Sequence, residues 1–178
     1  MGLHPFRRIR NPGVGGEKVK LKISVRDLAL MSIFAALYAA LVYAFAGLSF
    51  LPSQFRIAGA LRPGIAKKWI LAFGYGLGAV VGNIFSPFTG PWDMIFMPAM
   101  SVIAGIAGYL IAKPFGSNYF LAGAVIATIV PVSLSFMFSQ FGSPILATLP
   151  FLIVGEQIVC LLGAVVFKAV DARFKWWN

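Results

Sequence analysis

Long apolar runs separated by short polar segments dominate the chain. The run from Leu28 to Leu48 has the roughly 20 residues that a helix needs to cross the hydrocarbon core of a bilayer. A Ser24-Val-Arg-Asp27 capping box precedes it and indicates where that helix begins. Further runs predict four more helices, at Trp69–Phe85, Trp92–Ala112, Tyr119–Phe138 and Ile145–Val170. The pattern predicts an all-α integral membrane protein.

The segment between the first two of these runs is less regular. It carries Arg56, Arg62 and Pro63 within a short apolar stretch, and it ends in two lysines, Lys67 and Lys68. A lone helix of this kind would be costly in lipid, but it is tolerable when other helices bury it. We therefore predict a short, irregular second helix that ends at the lysines, which brings the count to six transmembrane helices.

Positive charges lie on one side of this arrangement. They occupy the N-terminal tail, the loops after the second and fourth helices, and the C-terminus, whereas the opposite side has only Arg56. Because Lys and Arg concentrate in cytoplasmic segments, both termini are predicted to be cytoplasmic. We expect a basic cytoplasmic tail (residues 1–26), a six-helix membrane domain (27–170) and a cytoplasmic C-terminal tail (171–178), in a multi-pass protein of the cell membrane.

Composition agrees with a membrane location and narrows the function. Hydrophobic residues make up 60% of the chain and charged residues 11%, whereas a soluble domain has about half and about a quarter. The net charge of +10 could suggest nucleic acid, but no basic stripe on a folded face is visible, so we expect no nucleic-acid binding. The chain contains no G-x-x-x-x-G-K-[ST], HExxH or GxSxG motif and no paired Cys-His cluster. We therefore expect no enzyme activity, no cofactor and no metal.

Few polar residues interrupt the apolar runs, and these are the candidates for a site. Asn83 lies near the outer end of the third helix, Asp93 opens the fourth, and Glu156 lies deep within the sixth. Ionisable residues at such depth are functional hypotheses by default. Two structural alternatives stay open, since Asp93 is also placed to cap its helix and Glu156 to pair with Arg62. Either role is compatible with ligand contact.

A guanine-like base would match these groups. Its ring N–H and exocyclic amine form a donor edge that a carboxylate accepts, and Asn or Gln can read the opposite, mixed edge. An aromatic side chain such as Trp92 or Phe55 can stack on the ring. Many other heterocycles would satisfy the same requirements, so the chemistry alone leaves the ligand open.

Small residues recur four apart on two of the predicted helices. The first helix has Ala36 and Ala40, and the third has Gly74, Gly78 and Gly82. Such stripes let helix backbones approach closely in lipid. Each stripe is explained either by packing within the bundle or by docking onto a partner subunit.

Three segments of the chain form a recognisable set, namely "SQFRIAGAL" (Ser53–Leu61), "GPWDMIF" (Gly90–Phe96) and "VGEQIVCLLG" (Val154–Gly163). In this order they resemble segments of the QueT family, the substrate-binding S-components of energy-coupling-factor (ECF) transporters. The resemblance covers the chain from Asp27 to about Val170. It implies six helices and an outward-facing site under the loop between the first and second helices.

The resemblance also implies a function and partners. The chain would be the S-component of an ECF-type ABC importer for queuosine precursors, which are 7-deazaguanine bases, and would topple in the membrane to release its substrate inward. Its partners would be a transmembrane T-subunit, docked on Ala36 and Ala40, and two cytoplasmic ATPases. The alternatives are an S-component for another vitamin-like compound and a membrane scaffold that transports nothing. The predicted substrate-binding residues are Gln54, Arg56, Asn83, Trp92, Asp93 and Glu156.

The chain departs from the family pattern at one point. The family usually has an acidic residue after "FRIS", whereas the corresponding stretch here is "FRIAG", with Gly59 at that place and an additional Arg62. If that acid reads the substrate, the ligand of this chain differs from that of its relatives.

Overall fold

A computed structural model describes residues 23–50, 55–84 and 86–177, and every element in these ranges is helical. The α-helices are α1 (Val25–Ala44), α2 (Ala46–Ser49), α3 (Leu71–Gly82), α4 (Met97–Ala112), α5 (Tyr119–Ser139) and α6 (Ile145–Arg173). A 3-10 helix, Ile57–Ala66, lies between α2 and α3, a π-helical turn, Trp92–Phe96, leads into α4, and a 3-10 turn, Lys113–Phe115, follows it. Most of the predicted N-terminal tail and the candidate Gln54 lie outside the described residues.

The all-α membrane fold is confirmed. Four helical stretches of the described chain are long and apolar enough to cross a membrane, namely Val25–Ala44, Trp92–Phe115, Tyr119–Ser139 and Ile145–Arg173. Helix α3 is apolar but has 12 residues, which rise about 18 Å at 1.5 Å per residue. The predicted second helix is the 3-10 helix of ten residues. Six membrane spans and cytoplasmic termini therefore stay predictions.

The glycine stripe of α3 packs against α1. A Cβ atom added at Gly74 would lie 2.5 Å from the backbone oxygen of Met31, and one added at Gly78 would lie 2.8 Å from that of Ala35. Only a residue without a side chain permits so close an approach of two helices. Packing within the bundle thus explains this stripe.

The 3-10 helix is the centre of the bundle. Helices α1, α3, α4, α5 and α6 all contact it, and most of its residues are buried. Helix α6 approaches it so closely that a Cβ atom at Gly163 would lie 2.0 Å from the backbone oxygen of Ala60. Long 3-10 helices are uncommon because their hydrogen-bond geometry is poor, so this one depends on the helices around it. Its enclosure confirms the predicted burial of the irregular segment.

Ion pairs define one end of the bundle, here called the basic end. The capping box at the start of α1 forms as predicted, and its Asp27 pairs with Lys68 just after the 3-10 helix. Lys67 Nζ lies 3.7 Å from Asp171 near the end of α6 and 4.8 Å from the ring of Tyr119 at the start of α5. The starts of α1 and α5 and the ends of the 3-10 helix and α6 therefore lie together.

Candidate functional site

Four of the predicted site residues lie inside the bundle, three of them toward the end opposite the basic end and Glu156 deeper within α6. Arg56 precedes the 3-10 helix, Asn83 ends α3, Asp93 lies in the π-helical turn, and Glu156 lies within α6. All four side chains are buried. Arg56 interacts electrostatically with both carboxylates, so residues far apart in the sequence form one polar cluster.

Asn83 and Asp93 hold each other in place. The Asn83 side-chain nitrogen donates to the Asp93 carboxylate oxygen Oδ1 at 3.0 Å and to its backbone oxygen at 2.9 Å. No side-chain cap closes the start of the π-helical turn, so the Asp93 carboxylate contacts Asn83 instead of capping its helix. π-Helical turns occur frequently at functional sites. The turn directs Asp93 into the cluster.

Three atoms of the cluster are buried and lack a hydrogen-bond partner among the described residues. They are Nε of Arg56, Oδ1 of Asn83 and Oδ2 of Asp93. Buried polar atoms are nearly always paired, and an unpaired one costs about 1–3 kcal/mol. One donor and two acceptors therefore lack partners, which a small polar ligand bound inside the bundle could supply.

The Glu156 carboxylate already has a partner. Arg62 donates from Nη1 to Glu156 Oε2 and from Nε to the hydroxyl of Tyr75. The ring of Tyr75 packs edge-on against Tyr38 at 4.7 Å, and the Tyr38 hydroxyl lies 3.5 Å from Nη1 of Arg56. The proposed pairing of Glu156 with Arg62 is confirmed, and two tyrosines connect this pair to the rest of the cluster.

The sequence did not predict the roles of Tyr38 and Tyr75 or the π-helical turn. Tyr38 and Tyr75 are among the largest fully buried side chains, which requires partners for their hydroxyls. A tyrosine in the middle of a predicted span was the available signal. Nothing in "GPWDMIF" distinguishes a π-helical turn from an α-helical one.

Trp92 packs in a different environment. Its ring lies edge-on to Phe96 at 5.3 Å and to Phe136 at 6.0 Å, and it lines an apolar groove on the outside of the bundle. Within the cluster, the ring of Phe50 lies 5.6 Å from Cζ of Arg56. A stacking role for Trp92 stays a prediction.

The two alanines proposed for docking lie on the surface of α1. Ala36 and Ala40 are exposed, whereas Phe34, Tyr38 and Val42 of the same helix face the core. The small-residue face of α1 is thus available outside the bundle, in contrast to the buried glycine stripe of α3.

The chain is a multi-pass helical bundle, and it encloses a polar cluster in which some atoms lack partners within the described part of the chain. This arrangement is suited to binding a small molecule within a membrane protein. A family model described as "QueT transporter" matches residues 28–172. The chain belongs to this family, the S-component family of ECF transporters. It is therefore a substrate-binding component of a transporter and not an enzyme. Comparisons with curated proteins and with solved structures gave no match.

Proposed function

We propose that the chain is the S-component of an ECF-type importer for queuosine precursors, which are 7-deazaguanine bases. Family membership supports the class of protein. The observation that carries the substrate proposal is the set of three unpaired buried atoms, on Arg56, Asn83 and Asp93.

A deazaguanine can satisfy this set. Its ring N–H and exocyclic amine donate to the carboxylate of Asp93, and the charge strengthens these hydrogen bonds. Asn83 Oδ1 offers a second acceptor beside the first, and Arg56 Nε donates to the carbonyl oxygen of the base. Gln54, two residues before Arg56 in the sequence, would join this site.

Six membrane segments would orient the site outward. Contacts of Gly74 with Met31 and of Gly82 with Val42 indicate that α1 and α3 run in parallel, as expected if the 3-10 helix returns between them. With the basic end in the cytoplasm, both termini are cytoplasmic and the polar cluster faces the outside.

Transport would require partners. The chain has no P-loop, so the energy would come from two cytoplasmic ATPases through a transmembrane T-subunit. The exposed alanines Ala36 and Ala40 would form the docking face, because small residues let a second helix approach closely. The loaded subunit would topple at this face and release the base inward.

Ligand titration tests the proposal. The purified chain in detergent is titrated with 7-deazaguanines, purines and vitamin-like compounds while its tryptophan fluorescence is recorded. Saturable binding of a 7-deazaguanine is the expected result. Binding of an unrelated vitamin would favour an S-component of other specificity, a possibility raised by Gly59 and Arg62. The absence of binding to any compound would favour a scaffold.

A further inference from the structure

Four charged side chains are buried within the described part of the bundle. Arg56 and Arg62 are positive, Asp93 and Glu156 are negative, and none is more than 7% exposed. Every other charged residue of the described ranges is exposed or half-buried. The neighbouring residues 51–54 are Leu-Pro-Ser-Gln and add no charge. The formal charge of the buried cluster is therefore zero.

Two of these charges form a direct ion pair, and the other two do not. Arg62 and Glu156 form a direct ion pair. Arg56 and Asp93 attract each other electrostatically, yet no nitrogen–oxygen distance within 4.0 Å joins them, and each presents an unpaired buried atom. The Arg56 guanidinium and the Asp93 carboxylate therefore form no direct ion pair, and each keeps one atom without a hydrogen-bond partner among the described residues.

A ligand that contacts both residues can bridge the two groups. Nε of Arg56 requires an acceptor, and Oδ2 of Asp93 requires a donor. Because the cluster sums to zero, a ligand with a net positive charge would leave one charge uncompensated in a buried site, which is costly. An uncharged ligand with a donor on one edge and an acceptor on another satisfies both groups without that cost.

We infer that the site selects an uncharged planar base and discriminates against the same base with a cationic substituent. This inference rests on the proposed function and narrows its substrate class. Arg62 contributes to the selection as a positioning residue, since it neutralises Glu156 and leaves Asp93 as the one carboxylate of the buried cluster described above that has no direct ion pair.

Two 7-deazaguanines of matched size test the inference. One carries a nitrile at position 7 and the other an aminomethyl group, which is positively charged at neutral pH. The two bases are titrated by calorimetry into the complete chain in detergent. We expect the nitrile base to bind at least about tenfold more tightly than the aminomethyl base, which is equivalent to about 1.4 kcal/mol. Equal or tighter binding of the amine would overturn the inference and leave the proposed function intact. Failure of both bases to bind would overturn the proposed function and the inference with it.

A charge variant tests the cause of the preference. Arg56→Gln removes one positive charge, so the buried cluster becomes negative. The ratio of the affinities for the nitrile and aminomethyl bases is then expected to fall about tenfold, even if both bases bind more weakly. Arg56→Lys keeps the charge and serves as the matched control, with the preference retained. An unchanged preference in Arg56→Gln would show that charge balance does not set the specificity. If Arg56→Gln does not fold, the comparison of the two bases on the unaltered chain decides alone.

Discussion

Loss of the Glu156 carboxylate is expected to destabilise the bundle strongly. The side chains of Arg62 and Glu156 are 2% and 5% exposed, so neither is accessible to solvent. Glu156→Ala leaves the Arg62 guanidinium without its counter-charge and with Tyr75 as its remaining hydrogen-bond partner. Removal of one partner from a buried ion pair costs about 3–5 kcal/mol. We expect the free energy of unfolding to fall by this amount.

Reversible unfolding in mixed detergent micelles, followed by circular dichroism, measures this loss. Asp171→Asn is the matched control, because Asp171 is 15% exposed and pairs with Lys67 and Lys175 at the basic end. Pairs near the surface contribute about 1 kcal/mol or less. A double variant, Arg62→Met with Glu156→Leu, should recover most of the loss, since apolar replacement of a whole buried pair is often neutral. A cost of Glu156→Ala no larger than that of the control would refute the reasoning.

Two further substitutions test the packing of α3 against α1 and the docking role of the exposed face of α1. Gly78→Ala places a Cβ atom 2.8 Å from the backbone oxygen of Ala35 and is expected to cost about 1–3 kcal/mol in the same unfolding assay. Gly47→Ala, where no atom lies within 4 Å, should cost much less, and equal effects would contradict the packing. Ala36→Leu enlarges the exposed face of α1 and should leave ligand affinity unchanged while it abolishes uptake by the assembled transporter; retained uptake would contradict the docking role.

The hydrophobic pattern was sufficient to predict most of the helices. The fourth to sixth predicted helices begin at the observed residues, and the capping box at Ser24 forms as expected. Long apolar runs leave little choice of structure, because a backbone in lipid must satisfy its own hydrogen bonds. The C-terminal end was less well defined, and α6 continues three residues beyond the prediction, to Arg173.

Local geometry and side-chain pairing were harder to predict. The sequence indicates that residues around Arg62 are irregular, but the 3-10 conformation depends on close approaches such as that of Gly163 to Ala60. The deep position of Glu156 was compatible with ligand contact and with a pair to Arg62, and the structure shows the ion pair. Ligand contact of Glu156 stays a prediction. The absence of a direct Arg56–Asp93 ion pair results from tertiary packing, which no spacing in the sequence encodes.

The affinity of the purified chain for a 7-deazaguanine, before and after Asp93→Asn, tests the central claim most directly. The substitution keeps the shape of the side chain and removes the charge from a buried acceptor. A hydrogen bond to a charged group contributes about 1.5–3 kcal/mol, which corresponds to a loss of affinity of about tenfold to a hundredfold. We predict this loss, with the helical content and unfolding of the bundle retained. Unchanged affinity in a folded Asp93→Asn variant would contradict the assignment of this cluster as the substrate site.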